Sequence, residues 1–333
     1  MSRSKFFCYT PKVNQKEKLL VVMIPCFNEE KTIGQVIDRI PRKIRGISKT
    51  KVLVINDGSS DCSAAIARKH GAIVISHPIN RGLGQTFVDG IDKALRLGAD
   101  IIVNIDGDLQ FNPKDIPKLV KPIIEEHFNF VTGTRYKDHR EYNMKNRGLK
   151  NWGNKVFVRI INWITGHNYT DVSCGFRAYS RKAALKLQLF GHFTYTHETF
   201  LDLVHKGFIA CEVPVKVRPL RQNSQSHVSG NLFKYAYSAL KIIGRSFRDY
   251  HPFKFFGSIS LIVFLVGLIP IVIFFVHYFT TGRMSPFKSY AIGGAFLLVM
   301  SFLIFMLALL ADMMGRIKDL EEEIIYQIKR KNK

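Results

Sequence analysis

Asp106 and Asp108 stand one residue apart in "VNIDGDLQFNP" (103–113), directly after an apolar run. Residues i and i+2 at a strand end share a face, so both carboxylates are expected on one side. Clustered carboxylates repel each other and resist ionisation unless a cation neutralises them. A hard divalent ion, Mg²⁺ or Mn²⁺, suits such oxygen ligands and leaves coordination positions for phosphate oxygens. Gln110 offers a third, neutral oxygen, and Gly107 allows a ligand close to the backbone. Taken alone, the pair fits a capped turn with solvated acids equally well.

The surrounding elements decide where those acids lie. From Leu19 to about Val131, short apolar runs alternate with segments of helical periodicity. "LLVVMI", "KVLVI", "AIVIS", "DIIVNI" and "FNFVTG" read as strands. "NEEKTIGQVIDRI", "CSAAIARKH", residues 85–97 and "PKDIPKLVKPIIEE" read as helices. This alternation predicts an α/β fold, a mostly parallel sheet between helices, with ligands at the carboxyl ends of the strands. Three strands end in polar clusters, "PCFNEE", "NDGSSD" and "DGDLQ", which neighbouring strands would bring to one edge. "RGLGQTFVDG" contains G-x-G, but Phe87 replaces the third glycine of a dinucleotide fingerprint, so hydride transfer is not expected.

Lys and Arg number 49 against 26 Asp and Glu in 333 residues, a net charge of +23 that points to an anionic partner. Apolar residues concentrate near the C-terminus. Residues 255–279 and 290–311 contain no Asp, Glu, Lys or Arg, and each span exceeds the ~20 residues a membrane helix needs. A short connector makes them a hairpin, with Pro270 tolerable inside the first helix. Arg245, Arg248 and Lys254 precede the pair, and Arg316, Lys318 and "IKRKNK" follow it, whereas the loop holds only Arg283 and Lys288. The positive-inside bias predicts both termini and the catalytic domain in the cytoplasm. The N-terminus shows no apolar core of signal-peptide length. Five scattered cysteines without a CxxC pair read as reduced thiols.

In order and spacing, "VVMIPCFNEE", "VLVINDGSSD", "NRGLGQ", "NIDGDLQ" and "GTRY" resemble family 2 glycosyltransferases of the GT-A fold. Among these the chain looks most like the polyprenyl-phosphate (dolichyl-phosphate mannose synthase-like) sugar synthases. The resemblance covers residues 19–228. It implies an N-terminal extension (1–18), a GT-A domain (19–228), an interfacial amphipathic helix (229–254), two transmembrane helices (255–311) and a basic tail (312–333). It also implies inverting, metal-dependent transfer from a nucleotide-diphosphate sugar to a polyprenyl phosphate, with GDP-mannose, UDP-glucose and UDP-N-acetylglucosamine all open as donors.

By that resemblance Pro25, Phe27, Glu29, Ile55 and Asp57 line the base and ribose. Asp106, Gly107 and Asp108 meet the diphosphate, and Asp106, Asp108 and Gln110 hold the metal. Arg135, Arg147 and Arg221 match acceptor- or diphosphate-binding arginines, a role that suits a rigid fork of donors. Asp171 matches an acid near the acceptor and joins Asp106 and Asp108 as a candidate catalytic residue. Glu198 reads as a helix-start cap. Two departures stand out. The usual "DDGS" reads Asn56-Asp57-Gly58-Ser59, and the last basic loop has Arg221, Ser224, Ser226 and His227 in place of its glycine and lysine.

Basic–aromatic interleaving in 147–166 and 231–250 suits a headgroup layer better than nucleic acid once a membrane anchor is present. The rival readings are transfer to a glycan or lipid hydroxyl, which needs a true base such as Asp171 or Glu198, and a non-catalytic membrane scaffold. The sequence leaves homo-oligomerisation open.

Overall fold

The computed structural model describes residues 18–136, 158–159, 161–162, 166–188, 195–218, 244, 248 and 251–332. The chain divides into two compact units, one of residues 1–143 and 169–222 with the last residue, the other of 144–168 and 223–332.

Five strands of the first unit follow from the apolar runs: β1 (Lys18–Cys26), β2 (Ile47–Asn56), β3 (Ile73–Ser76), β4 (Ile101–Asn104) and β5 (Phe130–Thr134). Two more, β6 (Arg177–Ser180) and β7 (Ala210–Pro214), complete a seven-stranded sheet of order β3-β2-β1-β4-β6-β5-β7. Every pairing is parallel except those of β6, which runs antiparallel to both β4 and β5.

The helices are α1 (Ile33–Asp38), α2 (Ser63–Lys69), α3 (Leu83–Arg96), α4 (Ile116–Glu125), α5 (Arg181–Lys186) and α6 (Tyr195–His205). The α1 helix is shorter than its sequence pattern. Asn28 adopts φ 54°, and the Glu29 carbonyl accepts from both the Thr32 and Ile33 amides, so the chain turns before it coils.

Strand β1 is buried from Leu20 to Cys26, which fits the near-continuous hydrophobicity of a strand covered on both faces. Leu20, Val22 and Ile24 join the core under α1 and α4, with Ile33, Val36, Leu119 and Ile123. Each such side chain contributes about 1.5–3 kcal/mol by leaving water. On the opposite face α3 lies so close that a Cβ on Gly90 would fall 2.2 Å from Met23 Sδ. The register is what positions the site. Cys26 pairs with Asn56 and Met23 with Asn104, so β1, β2 and β4 finish together along one edge.

The second unit contains α7 (Pro252–Thr281) and α8 (Lys288–Asn332), both long and apolar enough to cross a membrane. Pro270 lies inside α7 without ending it. The pair packs through small residues: a Cβ on Gly267 would meet Leu297 Cβ at 2.8 Å, and one on Gly294 would meet the Gly267 carbonyl at 2.9 Å. Ser260 donates to the Ser301 carbonyl at 2.9 Å, and Ser301 returns a bond to the Ser260 carbonyl at 3.0 Å. With 45 residues, α8 is about 68 Å long at ~1.5 Å per residue and outruns a ~30 Å hydrocarbon layer. Most of the expected interfacial helix over 229–254 lies outside the described residues.

Candidate active site

A cleft of about 280 Å³ opens at the shared edge of β1, β2 and β4. Its lining includes Pro25, Phe27 and Glu29 at and beyond the end of β1, Asp57 after β2, and Asp106, Gly107 and Asp108 after β4. Seven of the eight expected donor-binding residues therefore meet in one place. Ile55 is the exception among them. It is fully buried in β2, and its side chain packs towards α3, where a Cβ on Gly90 would stand 3.2 Å from it. Ile55 points to the α3 face of the sheet, and in the β2 segment it is Asp57, beyond the strand end, that reaches the cleft.

The acids lie within electrostatic reach of one another. The Asp106 carboxyl is pushed up to about 7, chiefly by desolvation, then by the charges of Asp108 and Glu29, with Arg135 pulling the other way. Asp108 is shaped by its own loop. One of its oxygens accepts the Gln110 amide at 3.0 Å, and Leu109 between them takes the left-handed region at φ 60°, a conformation that costs a non-glycine residue free energy. The Gln110 carbonyl accepts from the Arg218 amide at 2.9 Å, and Phe111 bridges to Val217. The acid loop is thus tied to the backbone three residues before Arg221. Arg221 itself, with Arg147 and His227, lies outside the described residues.

Among the described residues, no three His, Cys, Asp or Glu side chains converge as a metal cage. The donor set still fits a hard divalent ion. Two carboxylates face one cleft, and a positive charge placed there relieves the resistance of Asp106 to ionisation. Asp106 and Asp108 would hold it, and the other positions would fall to phosphate oxygens or water, while Gln110, the third expected ligand, is not among the residues that line the cleft.

Behind Asp106 lies a buried polar network that no motif in the sequence announces. Asn104 donates its amide to the Gly175 carbonyl and to the Tyr195 hydroxyl, both at 2.9 Å. Tyr195 stacks on Phe87 with ring centroids 4.3 Å apart. Gly175 leaves no room for a side chain: a Cβ would fall 2.9 Å from the Tyr195 hydroxyl and 3.2 Å from Asp106 Oδ2. The requirement for this glycine comes from residues far away in the chain.

Arg135 follows β5 and meets Asp171 in a two-pronged ion pair, Nε to Oδ2 at 2.7 Å and Nη2 to Oδ1 at 2.9 Å. Asp171 is fully buried and also accepts the Arg135 amide and the Ser173 amide and hydroxyl. Desolvation disfavours the Arg135 charge, but the bonds and charge of Asp171 more than offset it and push its pKa up. The loop before Asp171 hangs on Glu212 of β7, whose carboxylate accepts the Thr170 and Asp171 amides at 2.7 and 2.8 Å. Asp171 thus fixes the orientation of Arg135. Glu198 sits in the first turn of α6, where an acid complements the helix dipole.

The Asn56 departure is accommodated locally. Its side chain accepts the Ser59 amide and donates to Ser76, holding the turn and β3 without joining the cleft lining.

The sequence model of "Glycosyl transferase family 2" matches residues 21–187. The UDP-N-acetylglucosamine–dolichyl-phosphate N-acetylglucosaminyltransferase of Methanococcus voltae is 33% identical over 189 residues, 51% of this chain and 72% of that protein. The undecaprenyl-phosphate 4-deoxy-4-formamido-L-arabinose transferase of Edwardsiella ictaluri is 25% identical over 315 residues, 89% of this chain and 88% of that one. Among solved structures, glucosyl-3-phosphoglycerate synthase of Mycobacterium tuberculosis with Mn²⁺, UDP and glucosyl-3-phosphoglycerate matches with a TM-score of 0.53 and 22% identity, over 68% of this chain and 80% of that one. That likeness concerns the fold.

Proposed function

The chain belongs to glycosyl transferase family 2, and on that premise we propose that it moves a sugar from a uridine-diphosphate sugar to a polyprenyl phosphate at the cytoplasmic membrane face. UDP-N-acetylglucosamine is the first donor to test, since that is the nucleotide sugar named for the Methanococcus voltae relative. The observation that carries the reading is the convergence of Glu29, Asp57, Asp106 and Asp108 on one cleft, with Arg135 in electrostatic reach of Asp106.

The chemistry is a single displacement with inversion. An acceptor phosphate oxygen attacks the anomeric carbon, the bond from that carbon to the diphosphate oxygen breaks, and its electron pair leaves with the nucleoside diphosphate. A lipid phosphate arrives already anionic at neutral pH, so it needs alignment more than deprotonation. Arg135, held by Asp171 through Nε and Nη2 and by Ser173 through Nη2, would offer its Nη1 donors to the phosphate. Asp106 and Asp108 would hold a divalent ion, which would supply Lewis-acid stabilisation of the departing charge. Arg147, Arg221 and His227 are proposed to complete the phosphate-binding side. The hydroxyl-acceptor reading needs a free base, and the carboxylate of Asp171 is committed to Arg135 and Ser173.

The two apolar helices would anchor the catalytic unit where such a lipid resides, and their flanking cations favour the cytoplasmic face. The test is incubation of the purified full chain with UDP-[¹⁴C]N-acetylglucosamine, Mn²⁺ and a polyprenyl phosphate. Label is expected in the organic extract, abolished by EDTA and by Asp108→Asn. A panel of GDP- and UDP-sugars that leaves the extract unlabelled, or labelling that survives both treatments, overturns the proposal.

A further inference from the structure

His77 lies one residue beyond β3 and is buried at 9% exposure, yet it is flanked by acids on both sides. Its Nδ1 stands 2.8 Å from Asp57 Oδ1, and its Nε2 stands 3.0 Å from Asp89 Oδ2 on α3. A neutral imidazole carries a single N–H, so it satisfies one such contact and turns a lone pair towards the other carboxylate. Only the imidazolium donates to both. Arg81 is the other charged group facing this cluster among the described residues. Its Nη1 also reaches Asp89 Oδ2 at 3.2 Å, while Gln85 donates to the other Asp89 oxygen.

Asp57 is the support for a segment of the cleft. Its carboxylate accepts the Arg81 and Gly82 amides, each at 2.9 Å. Those bonds set the turn into α3, where Gly82 has φ 87°. Asn80, Gly82, Leu83 and Thr86 of that turn line the cleft beside Asp57. The turn also packs directly on the loop after Asp57: a Cβ on Gly58 would fall 2.6 Å from the Ile79 carbonyl carbon. The orientation of one carboxylate therefore governs this wall, and His77, together with the Thr86 hydroxyl, orients it. The His77 amide donates to the Asn56 carbonyl at 2.9 Å, which fixes the backbone from which the imidazole projects.

We propose that His77 is a positioning residue for the nucleotide donor, working as a doubly donating imidazolium that clamps Asp57 to Asp89 and so holds the 80–83 wall of the cleft. The assignment rests on the nucleotide-sugar reading above. It predicts a separation of binding from chemistry, since the clamp shapes the donor wall and does not touch the reacting atoms. His77→Gln should raise the donor KM about tenfold and leave kcat within about twofold, the scale of a weakened pair of hydrogen bonds that serves binding alone. Asp89→Asn should keep the donor KM within about threefold of native, because the introduced amide offers an N–H to Nε2 and a neutral His77 then satisfies both partners.

The experiment measures donor KM and kcat for the native chain, His77→Gln and Asp89→Asn, beside calorimetric UDP binding. Nitrogen-15 spectra of the histidine-labelled native chain, assigned by loss of the signal in His77→Gln, should show both ring nitrogens protonated when UDP binds. A native KM and UDP affinity matched by His77→Gln, or spectra with one protonated nitrogen, overturn the clamp while leaving the transferase reading intact. Absence of UDP binding to the native chain overturns the reading on which the clamp rests.

Discussion

Glu29, Asp106 and Asp108 crowd the cleft side of β1 and β4, and desolvation, helped by the charges of Asp108 and Glu29, holds Asp106 up near neutrality. Asp171 is more deeply buried than any of them, yet it accepts five hydrogen bonds and pairs fully with Arg135. The same residue type is left electrostatically frustrated in one place and satisfied in the other, within a single unit of the chain. On the proposed reading the contrast marks where ligands arrive: Asp106 would gain most from a cation, whereas Asp171 would hold a guanidinium ready for an anion.

The severest loss should come from taking a charge off the frustrated side. Asp106→Asn and Asp108→Asn keep shape and lose the anionic ligand, so turnover should fall by about 10³-fold, the scale of one lost electrostatic stabiliser. Both should also lose the rise in melting temperature that Mn²⁺ gives the native chain, since a ligand that binds only the folded state stabilises it by mass action. Melting curves with and without Mn²⁺ check this, and an unchanged response in either variant would contradict the assignment of the frustrated acids to a metal.

On the satisfied side, the cost should fall on stability as well as on activity. Arg135→Met strands Asp171 in a fully buried site, a loss of about 3–5 kcal/mol by the behaviour of broken buried pairs. Arg135→Met with Asp171→Asn removes both charges and should recover most of that stability while activity stays low. Denaturant unfolding of the single and double variants checks the coupling. If Asp171 were a base for a hydroxyl acceptor, Asp171→Asn alone would abolish turnover. As a support for Arg135 it should lower it by about 10–100-fold and raise the KM for the lipid phosphate.

A third change joins the two regions. Gly175→Ala places a methyl group 2.9 Å from the Tyr195 hydroxyl and 3.2 Å from Asp106 Oδ2. The carboxylate should be displaced, and Mn²⁺ affinity should drop by about tenfold, the lower end of what disturbed supporting contacts cost. Tyr195→Phe in the same chain removes the nearer clash. It should return part of the affinity, which a Mn²⁺ titration of UDP binding measures.

The site is legible in the sequence where local order fixes it. The acids of "PCFNEE", "NDGSSD" and "DGDLQ" follow directly from three apolar strands, and parallel register brings strand ends together without further information. Ile55 shows the limit of that logic, since membership of a motif does not tell a strand's face from its edge. Gly175, Tyr195 and Glu212 stay hidden because each works through partners 20 to 91 positions away, as in the Gly175–Tyr195 contact and the Asn104–Tyr195 and Asp171–Glu212 bonds. Antiparallel β6 is hidden for a related reason. Its four residues, "RAYS", carry no period of their own, and their strand character comes from lying between β4 and β5.

The mildest change should come at Asn56, the residue that departs from the usual acid. Restoring an acid with Asn56→Asp keeps the oxygen that accepts the Ser59 amide at 3.2 Å. It removes the amide that donates to Ser76 Oγ at 3.2 Å, but the Ser76 hydroxyl can rotate and donate in its place. The exchange therefore preserves both contacts, and the cost is that of placing a second carboxylate, at 5% exposure, next to Asp57. Because Asp57 already has His77 as its partner, the added charge should lower stability by about 1 kcal/mol, an ordinary cost for a point substitution. Donor KM should stay within about twofold of the native value, since Asn56 stands outside the cleft lining. Urea unfolding and donor kinetics on Asn56→Asp read the two numbers separately. A large rise in KM with unchanged stability would move Asn56 into the nucleotide site and shift the boundary between the frustrated acids and their scaffold by one residue.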